Sequence, residues 1–222
     1  MGIAVPLEVA GALVALLDRI ALEPQNLTSI EILEEGIDHH LADSLAGLTV
    51  EDLARASACV DLGSGGGFPG LALAAARPQM AVTLVESERR KADWLCRAAA
   101  DFPNVRVVAD RSEHLASAER EGYPVATARA LGPLPVTLEL AAPLVSVGGS
   151  VLVWRGDRSD PEVEAAAARA AAELGLEPCE PVRSTPFPGA RRRLQLFRKV
   201  APTPSRFPRR PGRAARRPLG AA

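Results

Sequence analysis

The chain is poor in aromatic residues, cysteine and lysine. Aromatic residues make up 4% of its 222 residues, three cysteines occur, and all but two of its 26 basic residues are arginine. Cys59, Cys96 and Cys179 are far apart, so they have neither the spacing of metal ligands nor the even count of a disulfide framework. This pattern excludes a zinc-ribbon or disulfide-stapled fold and suits a reducing compartment.

Long apolar runs and secretion signals are also missing. No apolar run reaches the roughly 18 residues that span a bilayer. The N-terminal segment lacks a basic stretch, and Glu8, Asp18 and Arg19 interrupt it. We therefore expect a cytoplasmic protein with no membrane segment, and its hydrophobic content of 47% is enough for a buried core.

The net charge of −1 hides a strong polarity along the chain. Residues 183–222 hold 12 of the 26 basic residues and none of the 27 acidic ones. An acidic body with a basic end favours a polyanionic partner, but a solvated and disordered tail has the same composition. From Pro202 onward the chain is rich in Pro, Arg, Gly and Ala, and this composition predicts no fixed structure.

Hydrophobic periodicity predicts helices first and then an alternation of strands and helices. Such alternation is typical of an α/β fold with a mostly parallel sheet. The N-terminal helices are expected over 5–22, from a cap at Ser29, and over 37–46. Strands are expected over 58–62, 81–86, 105–109, 124–129 and 149–155, with an antiparallel pair at 178–184 and 193–199. The intervening helices are expected over 70–77, 88–101, 112–118, 134–145 and 160–174.

The stretch VDLGSGGGFPG at residues 60–70 follows the first predicted strand. It matches both the dinucleotide fingerprint, through Gly65, Gly67 and Gly70, and the loop of S-adenosylmethionine enzymes, through Gly63, Gly65 and Gly67. Both loops use glycine for close backbone approach to the ligand and an acidic residue after the second strand for ribose hydroxyls. Glu86 stands there. A tight turn that serves packing alone is the structural alternative.

The surroundings of the loop favour S-adenosylmethionine over a dinucleotide. Roughly 55 largely helical residues precede the glycine strand, and the sheet ends in an antiparallel pair, as in the class I S-adenosylmethionine-dependent methyltransferase fold. Ser112 and Glu113 follow the third strand, where an adenine would lie. Glu113 is equally explained as an acidic residue in the first turn of a helix, which the helix dipole favours.

Several motifs together resemble the glucose-inhibited division B family of bacterial 16S rRNA guanine-N7 methyltransferases. They are NLT at 26–28, HLADSL at 40–45, DLGSGGGFPG at 61–70, ARA at 128–130 and FPRRPGRAARRPL at 207–219. The resemblance implies methylation of one guanine in the 530 loop of 16S rRNA, within the small ribosomal subunit, by a monomer. It also implies a helical cap over 1–56, a Rossmann-like methyltransferase domain over 57–200 and a basic tail over 201–222.

The resemblance assigns site residues position by position. Cofactor contacts fall on Gly63, Phe68, Ser112, Glu113 and Arg129, beside Gly65 and Glu86 from the loop pattern, and substrate contacts fall on His40, Asp43 and Arg192. For Arg129 the alternative is a surface ion pair, and for His40 and Asp43 a local pair that packs the N-terminal helices. The chain departs from the family at Pro24 and Gln25, where an aromatic pair is usual, at Ala128 and at Arg155.

Methylation at guanine N7 requires no proton removal, because N7 carries a free lone pair in the neutral base. We therefore nominate no catalytic base and expect catalysis by orientation and electrostatics. Asp43 is a candidate for stabilising the guanine as it becomes cationic, and the basic tail for binding rRNA phosphates. The rival functions are a methyltransferase acting on another RNA, a protein or a small molecule, a nicotinamide-dependent oxidoreductase, and a non-catalytic RNA-binding protein.

Overall fold

The computed structural model of the chain describes residues 6–24, 27, 30 and 32–220. The first helix, α1, spans Leu7–Ala21 and buries four apolar residues at helical spacing, which are Leu13, Leu16, Leu17 and Ile20. It confirms the helix expected over 5–22. The cap expected at Ser29 lies outside the described residues, as does most of the NLT motif.

A continuous helical segment covers residues 33–45. It consists of α2 (Leu33–Gly36), a π-helical stretch (Ile37–Ala42) and α3 (Asp43–Leu45). The helix expected over 37–46 is therefore present, but with wider π hydrogen bonding in its middle, a feature that is frequent at functional sites. A 3₁₀ turn (Ala46–Thr49) and α4 (Glu51–Arg55) follow; α4 was not predicted, since five residues are too few to show helical periodicity.

Among the described residues, eight strands form one sheet in the order β3-β2-β1-β4-β5-β8-β6, with β7 also paired to β8. The first five strands are parallel, and β8 runs antiparallel to β5, β6 and β7. This arrangement confirms the mostly parallel sheet with an antiparallel end. The strands are β1 (Ala58–Leu62), β2 (Ala81–Val85), β3 (Val105–Val108), β4 (Tyr123–Arg129), β5 (Val145–Gly156), β6 (Leu176–Pro178), β7 (Val182–Ser184) and β8 (Arg192–Lys199).

The strand expected over 178–184 is two short strands instead of one. Pro178 ends β6 and Pro181 precedes β7, and proline has no N–H to donate to a sheet ladder. Both strands pair with β8, so the expected antiparallel contact forms around this break. The fifth strand begins at Val145, earlier than the expected residue 149. Val145 pairs with Tyr123 of β4, and a register shift between Tyr123 and Val125 separates this pair from the rest of the ladder.

Five helices connect the strands and cover both faces of the sheet. The N-terminal helices pack with α5 and α6 on one face, and the remaining connecting helices pack on the other. Two hydrophobic cores result, one on each side of the sheet. The connecting helices are α5 (Gly70–Ala76), α6 (Arg89–Ala98), α7 (Ser112–Ala118), α8 (Leu134–Ala141) and α9 (Pro161–Leu174). No helix in the described ranges is long and apolar enough to cross a membrane.

The basic segment after β8 is ordered, so the expectation of no fixed structure from its composition is wrong. Phe207 and Leu219 are buried in the core that contains α8 and α9. A last short helix, α10, spans Arg213–Arg216. The Arg209 guanidinium binds the buried Glu139 carboxylate of α8 at 2.7 Å and 2.5 Å. The basic segment is therefore bound to the acidic part of the chain, and composition alone does not reveal this contact.

Candidate functional site

The predicted site residues lie at one edge of the sheet, where the parallel strands end. The loop from Gly63 to Gly70, called the glycine loop below, follows β1, and Glu86 follows β2. Arg129 is the last residue of β4. Arg192 begins β8 opposite Gly156, the last residue of β5, and thus reaches the same edge from an antiparallel strand. This edge is where open α/β sheets bind ligands.

Buried Asp61 holds the glycine loop against the sheet. Its carboxylate accepts hydrogen bonds from the Gly70 N–H at 3.2 Å and from the Thr127 hydroxyl at 2.8 Å. Burial raises the pKa of the Asp61 carboxyl to about 6. A Cβ at Gly70 would lie 2.2 Å from Leu84 and 2.9 Å from the Asp61 carboxylate. Glycine is therefore required there for the helix α5 to begin beside β1.

The Glu86 carboxylate joins the glycine loop to the end of β2. It accepts the Gly65 N–H at 3.0 Å and the Glu88 N–H at 2.7 Å. Gly65 adopts a positive φ of 52°, a backbone conformation that residues other than glycine rarely adopt. The predicted acidic residue is thus in contact with the predicted loop, and each of its oxygens keeps acceptor capacity.

A first cavity, of about 150 Å³, lies beside the glycine loop. Gly63, Ser112 and Glu113 line it, so three of the predicted cofactor residues come together there. This volume is below the roughly 300–1,000 Å³ that enclose a whole drug-sized ligand, and it fits one part of such a ligand. The other lining residues are Val85, Ser87, Asp110, Arg111, Leu131, Val136, Leu140, Gly212, Ala214 and Ala215.

A second cavity, of about 60 Å³, also touches the glycine loop and is lined by Ile20, Leu27, His40, Gly66, Phe68 and Arg129. The His40 ring stacks parallel on Phe68 with 4.8 Å between ring centroids. The Arg129 guanidinium lies 5.8 Å from the centroid of the same Phe68 ring. The glycine loop and the N-terminal helices therefore form one aromatic and cationic pocket.

Asp43 organises the charges of this pocket. It is 4% exposed and binds two arginines, with Arg192 Nε at 2.8 Å and Arg129 Nη1 at 3.1 Å. Its backbone carbonyl accepts the Trp154 indole N–H at 2.8 Å. Arg129 also donates to the His39 carbonyl at 3.0 Å. All three predicted substrate residues and the predicted Arg129 are thus in mutual contact or share a partner.

His40 is held neutral in this environment. Burial, and then the charge of Arg129, lowers the pKa of its imidazole to about 4, against the opposing effect of Asp43. The Nδ1 atom lies 3.5 Å from Arg129 Nη2. A neutral imidazole adds no positive charge to a pocket that already contains two guanidinium groups.

Sequence reasoning missed several residues that shape the site. Trp154 lies within β5, and Phe187, whose ring contacts His39 and Arg192, lies in the loop before β8. Neither forms part of a local motif. The C-terminal residues at the first cavity were also missed as cavity residues. The only sequence signal in that segment was the family-like motif at 207–219, and no cofactor contact was predicted for it.

Comparisons with known proteins identify the family to which the chain is similar. Residues 10–179 match the model of the GidB family, rRNA small subunit methyltransferase G. A ribosomal RNA small subunit methyltransferase G of Chloroflexus aggregans is 45% identical over 202 residues, covering 87% of this chain and 82% of that protein. The protein of the same name from Deinococcus radiodurans is 40% identical over 212 residues, covering 93% and 83%.

Solved structures share the fold. A predicted O-methyltransferase from Agrobacterium tumefaciens has a TM-score of 0.55 at 26% identity and covers 72% of this chain and 81% of its own. A variant 16S rRNA (adenine(1408)-N(1))-methyltransferase from Catenulisporales acidiphilia, solved with its cosubstrate SAM, has a TM-score of 0.55 at 16% identity and covers 72% and 92%. The fold is that of class I S-adenosylmethionine-dependent methyltransferases. With the family model matched over most of its length, the chain belongs to the rRNA small subunit methyltransferase G family.

Proposed function

We propose that the protein uses S-adenosylmethionine to methylate N7 of one guanine in the 530 loop of 16S rRNA. The observation that carries this proposal is that the glycine loop lines both cavities, with Gly63 beside Ser112 and Glu113 in the first, and with Phe68 beside His40 and Arg129 in the second. The proposed setting is the cytoplasm, with the monomeric enzyme acting on rRNA within the small ribosomal subunit. Family membership supports the rRNA as substrate.

The residues around the first cavity fit the adenosine part of S-adenosylmethionine. Val85, Leu131 and Val136 supply apolar walls for a flat base, and Ser112 and Glu113 supply polar groups for its edge. The Glu86 carboxylate is the candidate acceptor for the ribose hydroxyls, as in nucleoside sites after a second strand. When bound, S-adenosylmethionine supplies an electrophilic methyl group on a sulfonium.

The residues around the second cavity fit the guanine. Phe68 and His40 already form a stack, and RNA bases that leave a loop bind on such aromatic faces. Unstacking is least costly for a nucleotide outside a duplex, which suits a loop guanine. The Arg129 and Arg192 guanidinium groups are candidates for hydrogen bonds to the guanine O6 edge or to flanking phosphates.

Orientation is the main contribution that we propose for these side chains. Guanine N7 attacks through its own lone pair, so no residue removes a proton, and holding the base in line with the methyl group supplies much of the rate enhancement. Asp43 is now a weaker candidate for stabilising a cationic guanine, because its carboxylate is neutralised by two arginines. Its proposed role is to position those arginines.

The exposed arginines of the C-terminal segment are proposed to contact rRNA phosphates. Arg210, Arg213, Arg216 and Arg217 are exposed, and no ion pair to their side chains is found within residues 32–220. Arg209 and Arg206, in contrast, are paired with Glu139 and Glu173. The first four are therefore available for a polyanion without loss of an existing contact.

Calorimetric titration with S-adenosylhomocysteine and with NAD tests the cofactor. We expect S-adenosylhomocysteine to bind and NAD not to bind. Glu86→Gln should raise the Kd for S-adenosylhomocysteine about tenfold, since a hydrogen bond to a charged group contributes roughly 1.5–3 kcal/mol. The matched control is Glu88→Gln, two residues further on at an exposed carboxylate. Binding of NAD alone would favour the oxidoreductase instead.

A further inference from the structure

We propose that the C-terminal segment Arg209–Arg217 forms one wall of the cofactor cleft, at its adenosine end. The inference rests on the proposed function, because it takes the first cavity to be the adenosine site. It assigns a binding role to a segment that follows the last strand and lies beyond the matched residues 10–179. The part of the chain that resembles a charged tail is then a structural component of the ligand site.

Three residues of this segment line the first cavity directly. Gly212, Ala214 and Ala215 line it together with the predicted cofactor residues Gly63, Ser112 and Glu113. The Gly212 N–H donates to the Glu113 carboxylate at 3.2 Å. The segment therefore contributes part of the cavity lining and also contacts one of the predicted cofactor residues.

The segment is fixed in this position by contacts of the Arg209 guanidinium. Glu139, 1% exposed on α8, accepts from the Arg209 guanidinium at 2.7 Å and 2.5 Å. The same guanidinium donates to the Arg217 carbonyl at 2.8 Å, which closes residues 209–217 into a loop around α10. Glu139 is thus the anchor of the wall, at a site where a buried carboxylate requires a paired cation.

The preceding residues attach the wall to the rest of the molecule. Phe207 is buried in the core, and Arg120 donates to the Phe207 carbonyl at 2.7 Å and to the Thr203 carbonyl at 2.5 Å. The Lys199 ammonium is buried and donates to the Ala142 carbonyl at 2.7 Å. These contacts make residues 199–217 a packed element, so the wall is part of the folded cleft.

A larger side chain on the wall tests the proposal without disturbing the core. Ala215 lines the cavity and is solvent-exposed, so Ala215→Phe adds a larger side chain beside the cavity at a position outside the buried core. We expect its Kd for S-adenosylhomocysteine to rise at least tenfold with an unchanged unfolding midpoint in the absence of ligand. Ala201→Phe, at an exposed alanine that precedes the segment and does not line the cavity, is the matched control and should bind as wild type. Equal affinity of the two variants contradicts the proposal.

Limited trypsin digestion gives a second readout that does not depend on a substitution. Trypsin cleaves the segment only when it opens locally, and a ligand bound in the cavity favours the packed state. Cleavage after Arg213 and Arg216 should therefore slow, by up to roughly 100-fold at a ligand concentration of 100 times Kd. Cleavage after Arg55, an exposed residue of α4, is the internal control and should not change. No slowing, or equal slowing at Arg55, contradicts the proposal. Failure of wild type to bind S-adenosylhomocysteine would overturn the proposed function instead.

Discussion

At the residue scale, Asp43 determines the charge arrangement of the proposed guanine pocket. One carboxylate binds two guanidinium groups, and it is itself held through the Trp154 hydrogen bond to its backbone. The sequence placed His40 and Asp43 three residues apart and on one helical face. It did not reveal that Arg129 and Arg192, 86 and 149 residues further along the chain, share the same carboxylate.

Asp43→Asn should reduce methyl transfer more than it reduces cofactor binding. The change leaves two partly buried arginines without a counter-charge, so we expect a loss of about 1–3 kcal/mol in the free energy of unfolding, below the ~3–5 kcal/mol of a fully buried pair. Turnover on small ribosomal subunits should fall at least tenfold, while the Kd for S-adenosylhomocysteine changes by less than about threefold.

The matched control for Asp43 is Asp52→Asn. Asp52 also binds an arginine, Arg198, and a hydroxyl, that of Ser150, but at the opposite end of the sheet. It should lose stability without a specific loss of turnover. Equal effects of the two substitutions on turnover per folded molecule would show that Asp43 has no positioning role.

His40 should make stability depend on pH. Its folded-state pKa of about 4 lies below the ordinary value of 6.5, so the unfolded chain binds more protons between these values and stability falls as the pH is lowered through this window. When the pH is lowered from 6.5 to 4.5, the unfolding midpoint of His40→Gln should fall by roughly 2–4 °C less than that of wild type. This difference corresponds to about 1 kcal/mol after allowance for solvent exposure. Thermal unfolding at both pH values measures it, and equal midpoint losses contradict the assignment.

At the scale of elements, the glycine loop and α5 show how much local sequence determines. The loop, the following helix and the acidic residue after β2 were all predictable, because turn chemistry and periodicity are local. The π-helical stretch at Ile37–Ala42, the division of β6 from β7 and the register shift near Tyr123 were not. They depend on packing and pairing with residues that are distant in sequence.

Gly70→Ala should destabilise the protein although it raises helix propensity. The added Cβ would meet Leu84 at 2.2 Å, so overpacking of about 1–3 kcal/mol exceeds the gain of about 1 kcal/mol from replacing glycine in a helix. Gly11→Ala is the control, because no atom lies within 4 Å of a Cβ there and α1 should gain stability. Chemical denaturation of both variants measures the difference; a stabilised Gly70→Ala would contradict the packing described for the loop.

At the scale of the whole molecule, the charge polarity of the sequence serves cohesion. Part of the basic C-terminal segment is neutralised by the acidic body, through Glu139 and Glu173 among others. The remainder of its arginines faces solvent. Composition predicted a polyanionic partner or a disordered tail, and it could not predict a docked segment, since docking depends on which acidic residues of the body lie opposite.

Replacing the four exposed arginines Arg210, Arg213, Arg216 and Arg217 with glutamine should flatten the salt dependence of rRNA binding. Each lost phosphate contact removes about 0.7–0.9 from the slope of log affinity against log salt concentration, so the slope should fall by up to roughly 3. Folding and S-adenosylhomocysteine affinity should remain, since these side chains form no ion pair among the described residues. An unchanged slope from filter-binding measurements would show that this surface does not meet RNA.

The most direct test of the account is transfer of a labelled methyl group to its acceptor. Small ribosomal subunits from cells that lack the modification, and naked 16S rRNA in parallel, are incubated with the protein and labelled S-adenosylmethionine, and the label is mapped by cleavage at N7-methylguanine. We expect label at one guanine of the 530 loop, in subunits more than in naked rRNA, and at least tenfold less label with Asp43→Asn at equal time. Label at another nucleotide, on a protein or on no component, with S-adenosylhomocysteine still bound, would contradict the proposed acceptor while leaving the fold and the cofactor site in place.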